Sequence, residues 1–151
     1  MEIDEADRRI LRRLQKQSDI SLEVLGEQVG LSRNAVWRRI RMLEENGYIS
    51  RRVAILDAAS LDLGLSVFIQ IRTNRHDQDW LQKFSRAMRE MPEILGAYRM
   101  TGDLDYLIRA RVSDVAAYDR LYQRLIKAVE ISDVAASFVM EDLKETTELP
   151  I

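Results

Sequence analysis

The chain contains no cysteine and a single histidine, His76. The first absence excludes disulfides, thiolate zinc sites and thiol nucleophiles; the second leaves little imidazole for metal or acid–base chemistry. No metal, cofactor or catalytic constellation is therefore expected. No apolar run approaches the roughly 20 residues needed to cross a bilayer. The start, Met1 to Arg13, is charged throughout rather than a basic stub followed by an apolar stretch. A cytoplasmic protein is the expectation. Strong net charge is lacking too: 23 basic against 25 acidic residues argue against indiscriminate nucleic-acid binding by a polycation. What is present is a 46% hydrophobic and 32% charged composition, which belongs to a folded protein with a real core. At 151 residues, one compact domain or two small ones are possible.

Charge is unevenly placed. Residues 1–52 hold 11 Lys and Arg against 9 Asp and Glu, leaving 12 against 16 for the remainder. Within the first part, Arg33, Arg38, Arg39 and Arg41 follow one another with no acid until Glu44. Apolar spacing places helices around them. Asp4 stands as N-cap before Ile10, Leu11 and Leu14, which share a stripe with Ile3. Ser21 caps a short helix carrying Leu22, Leu25 and Val29, closed by Gly30. After the turn Gly30-Leu31-Ser32, Ser32 caps a third helix from Arg33 to about Asn46, with Val36, Ile40 and Leu43 inward and Gly47 as the stop.

On that third helix Asn34, Trp37, Arg38 and Arg41 fall on the side away from Val36 and Ile40. A cationic, amide-bearing face fits the major groove, where Arg pairs with guanine, Asn with adenine, and further arginines with phosphates. The same face on an ordinary bundle helix is simply solvated. The order short helix, three-residue turn, long basic helix favours DNA. Trp37 fits either packing against the first helix or a DNA contact. The assignment is Asn34, Arg38 and Arg33 to bases, and Arg41, Arg51 and Arg52 to phosphates, with Ser32 at the helix start.

The string Leu31-Ser32, Val36, Arg39-Ile40, Leu43, Gly47 and Ile49, preceded by Asp4, Asp7 and Ile10-Leu11, resembles the helix-turn-helix of the Lrp/AsnC (feast/famine) regulators. That resemblance implies that Gly47-Tyr48-Ile49 and the β-prone Ser50 to Leu56 form a wing and a strand leading to a second domain. Arg51 and Arg52 sit where a wing touches the phosphate backbone, or are solvated.

The pattern breaks between Asp57 and Leu63. Beyond it, Leu65, Val67, Ile69 and Ile71 alternate with polar and outward residues, the period of a half-buried strand running to Thr73. Asp79 is read as the cap of a helix with Trp80, Leu81, Phe84, Met88 and Met91 on its buried stripe, ended by Pro92. Ile94 to Thr101 and Tyr106 to Val112 form a hairpin around Gly102-Asp103-Leu104-Asp105. Ser113 or Asp114 caps a further helix with Tyr118, Leu121, Tyr122, Leu125 and Val129, and Val134 to Met140 makes a fourth strand. The order is strand, helix, strand, strand, helix, strand, a ferredoxin-like arrangement that by itself names no activity. The expected fold is thus α+β: a winged helix-turn-helix over 1–50, a hinge strand and linker over 51–63, and a ferredoxin-like βαββαβ regulatory (RAM-type) domain over 64–151.

Gly102-Asp103-Leu104-Asp105-Tyr106 and Met140-Glu141-Asp142-Leu143-Lys144 resemble the corresponding hairpin and end of the same family's regulatory domain, so the match covers almost the whole chain. It implies a homodimer that assembles further to an octamer or similar ring. It also implies a small amino-acid effector near that hairpin, touching Met100, Thr101, Gly102, Asp103, Asp105 and Ala136. Such a ligand needs donors for its carboxylate, which the amides around Gly102 supply, and an acceptor for its ammonium, which Asp103 or Asp105 supplies. A Gly-Asp turn that merely bonds its own backbone has the same sequence. Family members carry threonines early in the last strand where this chain has Val134 and Ala136. Glu90-Met91-Pro92-Glu93, Leu95-Gly96, Arg99-Met100 and the ending Thr146-Thr147-Glu148-Leu149-Pro150-Ile151 resemble its cysteine-responsive branch, so cysteine, leucine or a similar amino acid is the expected effector.

Three functions stand in order. The first is a DNA-binding transcriptional regulator modulated by an amino acid. The second is a nucleoid-organising protein that wraps DNA without an effector. A small ferredoxin-like enzyme, for which Asp103 and Asp105 are the only suggestive pair, is third.

Overall fold

The computed structural model describes residues 2–151. The chain divides into two compact units, one of Met1–Ile55 together with Leu143–Ile151, the other of Leu56–Asp142.

The first unit is built on α1 (Glu5–Leu14), α2 (Leu22–Val29) and α3 (Arg33–Glu45). Each begins at the expected cap. The Asp4 carboxylate accepts from the Asp7 amide at 2.8 Å, and Asp7 returns the bond to the Asp4 amide at 3.1 Å, a reciprocal box that satisfies two otherwise orphaned donors. Ser21 and Ser32 accept from the amides of Val24 and Ala35. Ile10, Leu14, Leu25, Val29, Val36, Ile40 and Leu43 close over one another as the core. Between α2 and α3 the backbones approach so tightly that a Cβ on Gly26 would lie 2.6 Å from the Leu31 carbonyl oxygen. Only glycine fits there without displacing backbone.

The segment Leu143–Ile151 belongs to this same compact unit. It lies along α1. The Gln15 side-chain amide donates to the Leu149 carbonyl at 3.0 Å and accepts from the Leu149 amide at 2.9 Å, imitating a strand partner. Arg12 donates to the Ile151 carbonyl at 2.6 Å, and Lys16 pairs with Glu148 at 3.5 Å.

Residues 51–57 differ from expectation. They carry no strand, and Val53, Ile55 and Leu56 are 60 to 76% exposed. A strand is defined by a ladder, and this segment has no backbone partner among the described residues.

The second unit holds β1 (Leu65–Arg72), α4 (Gln78–Glu90), β2 (Ile94–Arg99), β3 (Tyr106–Val112), α5 (Val115–Ala128) and β4 (Asp133–Phe138). Its antiparallel sheet has the order β2-β3-β1-β4, with Ile69 opposite Ile108 on one side and Ala136 on the other. This is the ferredoxin-like topology. Val67, Ile69, Ile71, Ile108, Ala110 and Val112 point to one face, where Trp80, Phe84, Leu121 and Leu125 cover them. Trp80 stacks on Phe84 at 5.0 Å and donates its indole N–H to the Glu130 carbonyl, so the aromatics are core. Helix α4 is capped by Asp77, not Asp79: the Asp77 carboxylate accepts from the Trp80 amide at 2.9 Å. A cap must stand three residues before the amide it serves, and Leu81, expected inside, is exposed. Asp114 is the acid that caps α5.

Candidate functional site

The inward stripe Val36, Ile40 and Leu43 pins α3 to the core, so Asn34, Trp37, Arg38 and Arg41 are left exposed on its other side. At 13 residues the helix is about 20 Å long, enough to enter a major groove about 12 Å wide. Trp37 is 52% exposed, which decides against burial under the first helix. The Arg41 guanidinium lies over its ring at 5.7 Å and pairs with Glu45 at 2.8 Å. Ser32 uses its hydroxyl oxygen to cap α3.

The basic run is not uniform. Arg39 turns to α1, donating to Asp4 at 2.9 Å and Asp7 at 2.8 Å, and its pKa rises through those two carboxylates, Asp7 first. Arg33 pairs with Glu23 at 2.5 Å and Arg52 with Glu44 at 2.8 Å. Arg38, one helical turn from Asn34, has no acidic partner among the described residues. Sequence reasoning missed the roles of Glu23 and Glu44; only the four-residue spacing of Arg41 and Glu45 was visible in advance.

In the second unit, the hairpin between β2 and β3 is closed by the Met100 amide donating to the Asp105 carbonyl at 2.9 Å. Gly102 takes a left-handed φ of 95°, where a side chain would be strained. The two acids part company here. One Asp105 oxygen accepts from the Thr73 amide at 2.8 Å, and the Asp105 amide donates to the Ile71 carbonyl, tying the turn to the end of β1. Asp103 is exposed, and its carboxylate has no hydrogen-bond partner among the described residues; only its backbone carbonyl is engaged, by Arg72 at 2.9 Å. Arg72 also reaches Asp133 at 3.3 Å, so the hairpin and the start of β4 meet at one end of the sheet. Thr101 and Met100 are exposed beside them. The amides of Thr101, Gly102 and Asp103 donate to no group among the described residues. Ala136 lies farther along β4, opposite Ile69 and on the helix-facing side.

Two family models match the chain: a winged helix-turn-helix DNA-binding model over residues 3–50 and an Lrp/AsnC ligand binding domain model over residues 66–149. A glutamate uptake regulatory protein of Zymomonas mobilis is 45% identical over 149 residues, covering 99% of this chain and 91% of the relative. The DNA-binding transcriptional activator DecR of Escherichia coli is 43% identical, with 99% of each chain covered. Among solved structures, the transcriptional regulator NMB0573 of Neisseria meningitidis, in complex with L-Met, superposes with a TM-score of 0.95 at 33% identity, covering 99% of this chain and 97% of the other. Among the described residues no helix is long and apolar enough to cross a membrane.

Proposed function

From a chain that belongs to the Lrp/AsnC family of DNA-binding transcriptional regulators, we propose that α3 reads an operator through Asn34 and Arg38 while an amino acid bound at the β2–β3 hairpin modulates that binding. The observation that carries the reading is the exposed Asn34, Trp37, Arg38 and Arg41 face within the matched helix-turn-helix. Arg38 is placed to pair with guanine and Asn34 with adenine, from the N-terminal half of the helix that enters the groove first. Arg33, expected at a base, is held by Glu23 and joins Arg41, Arg51 and Arg52 in serving phosphates, which set register rather than sequence. The function is regulatory rather than enzymatic, as the relatives' names state of them.

The hairpin suits a zwitterion. Its amides supply donors for a carboxylate, and Asp103, whose oxygens are unengaged, supplies the ammonium acceptor, while Asp105 holds the turn through Thr73. An L-Met complex of a related regulator supports an amino acid as the class. Cysteine, leucine or methionine would fit that chemistry. The exposed apolar Val53, Ile55 and Leu56 support a homodimer, in which two recognition helices address successive major grooves about 34 Å apart, with assembly beyond the dimer as in an octamer. Effector binding then shifts the population of assemblies. Its place of work is the cytoplasm.

Two measurements test this. Selection from a random duplex pool should enrich one motif, whereas a nucleoid-organising wrapper would enrich none. A melting series against amino acids should show a rise with one small hydrophobic or thiol-bearing member, because binding to the folded state stabilises it by mass action. No enrichment overturns operator recognition; no rise overturns the amino-acid effector.

A further inference from the structure

Resting on the assignment of α3 as the recognition helix, we propose that Glu23, Glu44 and Glu45 restrain electrostatic binding to arbitrary duplex, by holding the phosphate-contacting arginines in ion pairs. Arg33, Arg41 and Arg52 each have a carboxylate 2.5 to 2.8 Å away, and all six side chains are 41 to 62% exposed. Arg38 and Asn34 have none. Of the four cations assigned to the sequence-independent backbone, Arg33, Arg41 and Arg52 are paired and Arg51 is not, while the base-reading pair is free, among the described residues.

A second observation concerns where two of these acids stand. Glu44 and Glu45 occupy the last turn of α3, which has no basic residue, although negative charge at a helix C-terminus opposes the macrodipole. The neighbouring α1 follows the rule, with Arg12 and Arg13 in its last turn. Helix α4 also ends on an acid held by an arginine, Glu90 by Arg86, but there Arg89 stands in the same last turn.

The physics of DNA binding supplies the consequence. Duplex DNA carries about one negative charge per 1.7 Å of axis, and non-specific affinity comes almost wholly from cations that meet it. Each paired arginine must exchange a carboxylate for a phosphate and leave that carboxylate beside the duplex. Arg38 makes no such exchange. Binding through the backbone is weakened on any sequence, so occupancy of arbitrary duplex falls, while the discrimination made by Arg38 and Asn34 is untouched.

The test uses the full chain with Glu23→Gln, Glu44→Gln, Glu45→Gln and the triple variant, titrated by fluorescence anisotropy against a duplex of mixed sequence at several salt concentrations. Each single variant is expected to tighten binding by about two- to fivefold, the range of an exposed ion pair. The slope of log affinity against log salt should steepen by up to about 0.9 per carboxylate removed. Unchanged or weaker affinity with an unchanged slope overturns the proposal. Arg38→Ala on the duplex enriched from the random pool keeps the two ideas apart. If it loses that duplex and the glutamate variants gain nothing, only the acidic set is disproved; if it binds as the parent does, the assignment of α3 falls first.

Discussion

Arg39 Nη1 lies 2.8 Å from Asp7 Oδ1, a carboxylate whose side chain is only 8% exposed, so the cation at the centre of the basic run joins α3 to α1 instead of facing DNA. Removing Asp7 leaves a partly covered guanidinium with half its partners and dismantles the capping box. Asp7→Ala is expected to lower stability by about 1–3 kcal/mol, seen as a shift in the urea midpoint. Arg39→Ala should act the same way, while Arg38→Ala, with no internal partner, should leave the midpoint within about 0.5 kcal/mol and affect only DNA affinity.

Alanine normally stabilises a helix over glycine by about 0.5–1 kcal/mol. At Gly26 the sign reverses, because the new Cβ would meet the Leu31 carbonyl at 2.6 Å and backbone must shift. Gly26→Ala should cost about 1–3 kcal/mol. A midpoint equal to or above the parent's would show that the turn between α2 and α3 yields freely.

Three capping acids make stability depend on acid pH. Asp4, Asp77 and Asp114 all have pKa values held below the ordinary 3.8, first by a backbone amide donating to each; Arg39 also lowers Asp4 and Arg75 lowers Asp77. A carboxyl whose folded pKa is depressed contributes stability that is present above its unfolded value. That contribution disappears as pH falls through the lower folded value. Melting temperature should therefore decline below pH 4, and Asp114→Asn, which keeps an accepting oxygen, should flatten part of the decline.

At the hairpin the two acids should respond differently. Asp105→Ala removes the acceptor for the Thr73 amide and should lower the melting temperature without any ligand. Asp103→Asn should leave it unchanged and abolish the rise produced by the effector. A retained rise in Asp103→Asn would move the ammonium site elsewhere.

Gln15→Ala deletes both bonds to the Leu149 backbone, each worth about 0.5–1.5 kcal/mol when formed. Hydrogen exchange at the Leu149 amide should accelerate, while amides of Ile69 and Ile108 in the sheet keep their protection.

The helices, their caps and the strand phases were legible because each depends on residues a few positions apart. Asp4, Ser21, Ser32 and Asp114 stand three residues before the amides they serve, and alternation along Val67, Ile69 and Ile71 matches the buried face. Where two acids competed for one local role, spacing alone chose wrongly: Asp79 was expected at the cap that Asp77 holds, since either could precede the apolar stripe. The resemblance carried further than any motif because it joined many weak signals in one order.

What the sequence determined by itself was therefore local and periodic: five helices, four strands, an exposed basic face on α3 and a Gly-Asp turn. Helix phase already turned Arg38 outward; tertiary structure alone supplied the partner of Arg39, because Asp7 stands on another helix. It decided that Asp105 ties the turn to β1 while Asp103 is left open, through an amide 32 residues away. It also returned Leu143–Ile151 to α1 and left Ser50 to Leu56 without a ladder, since pairing over long separations depends on which backbone groups the rest of the fold brings within reach.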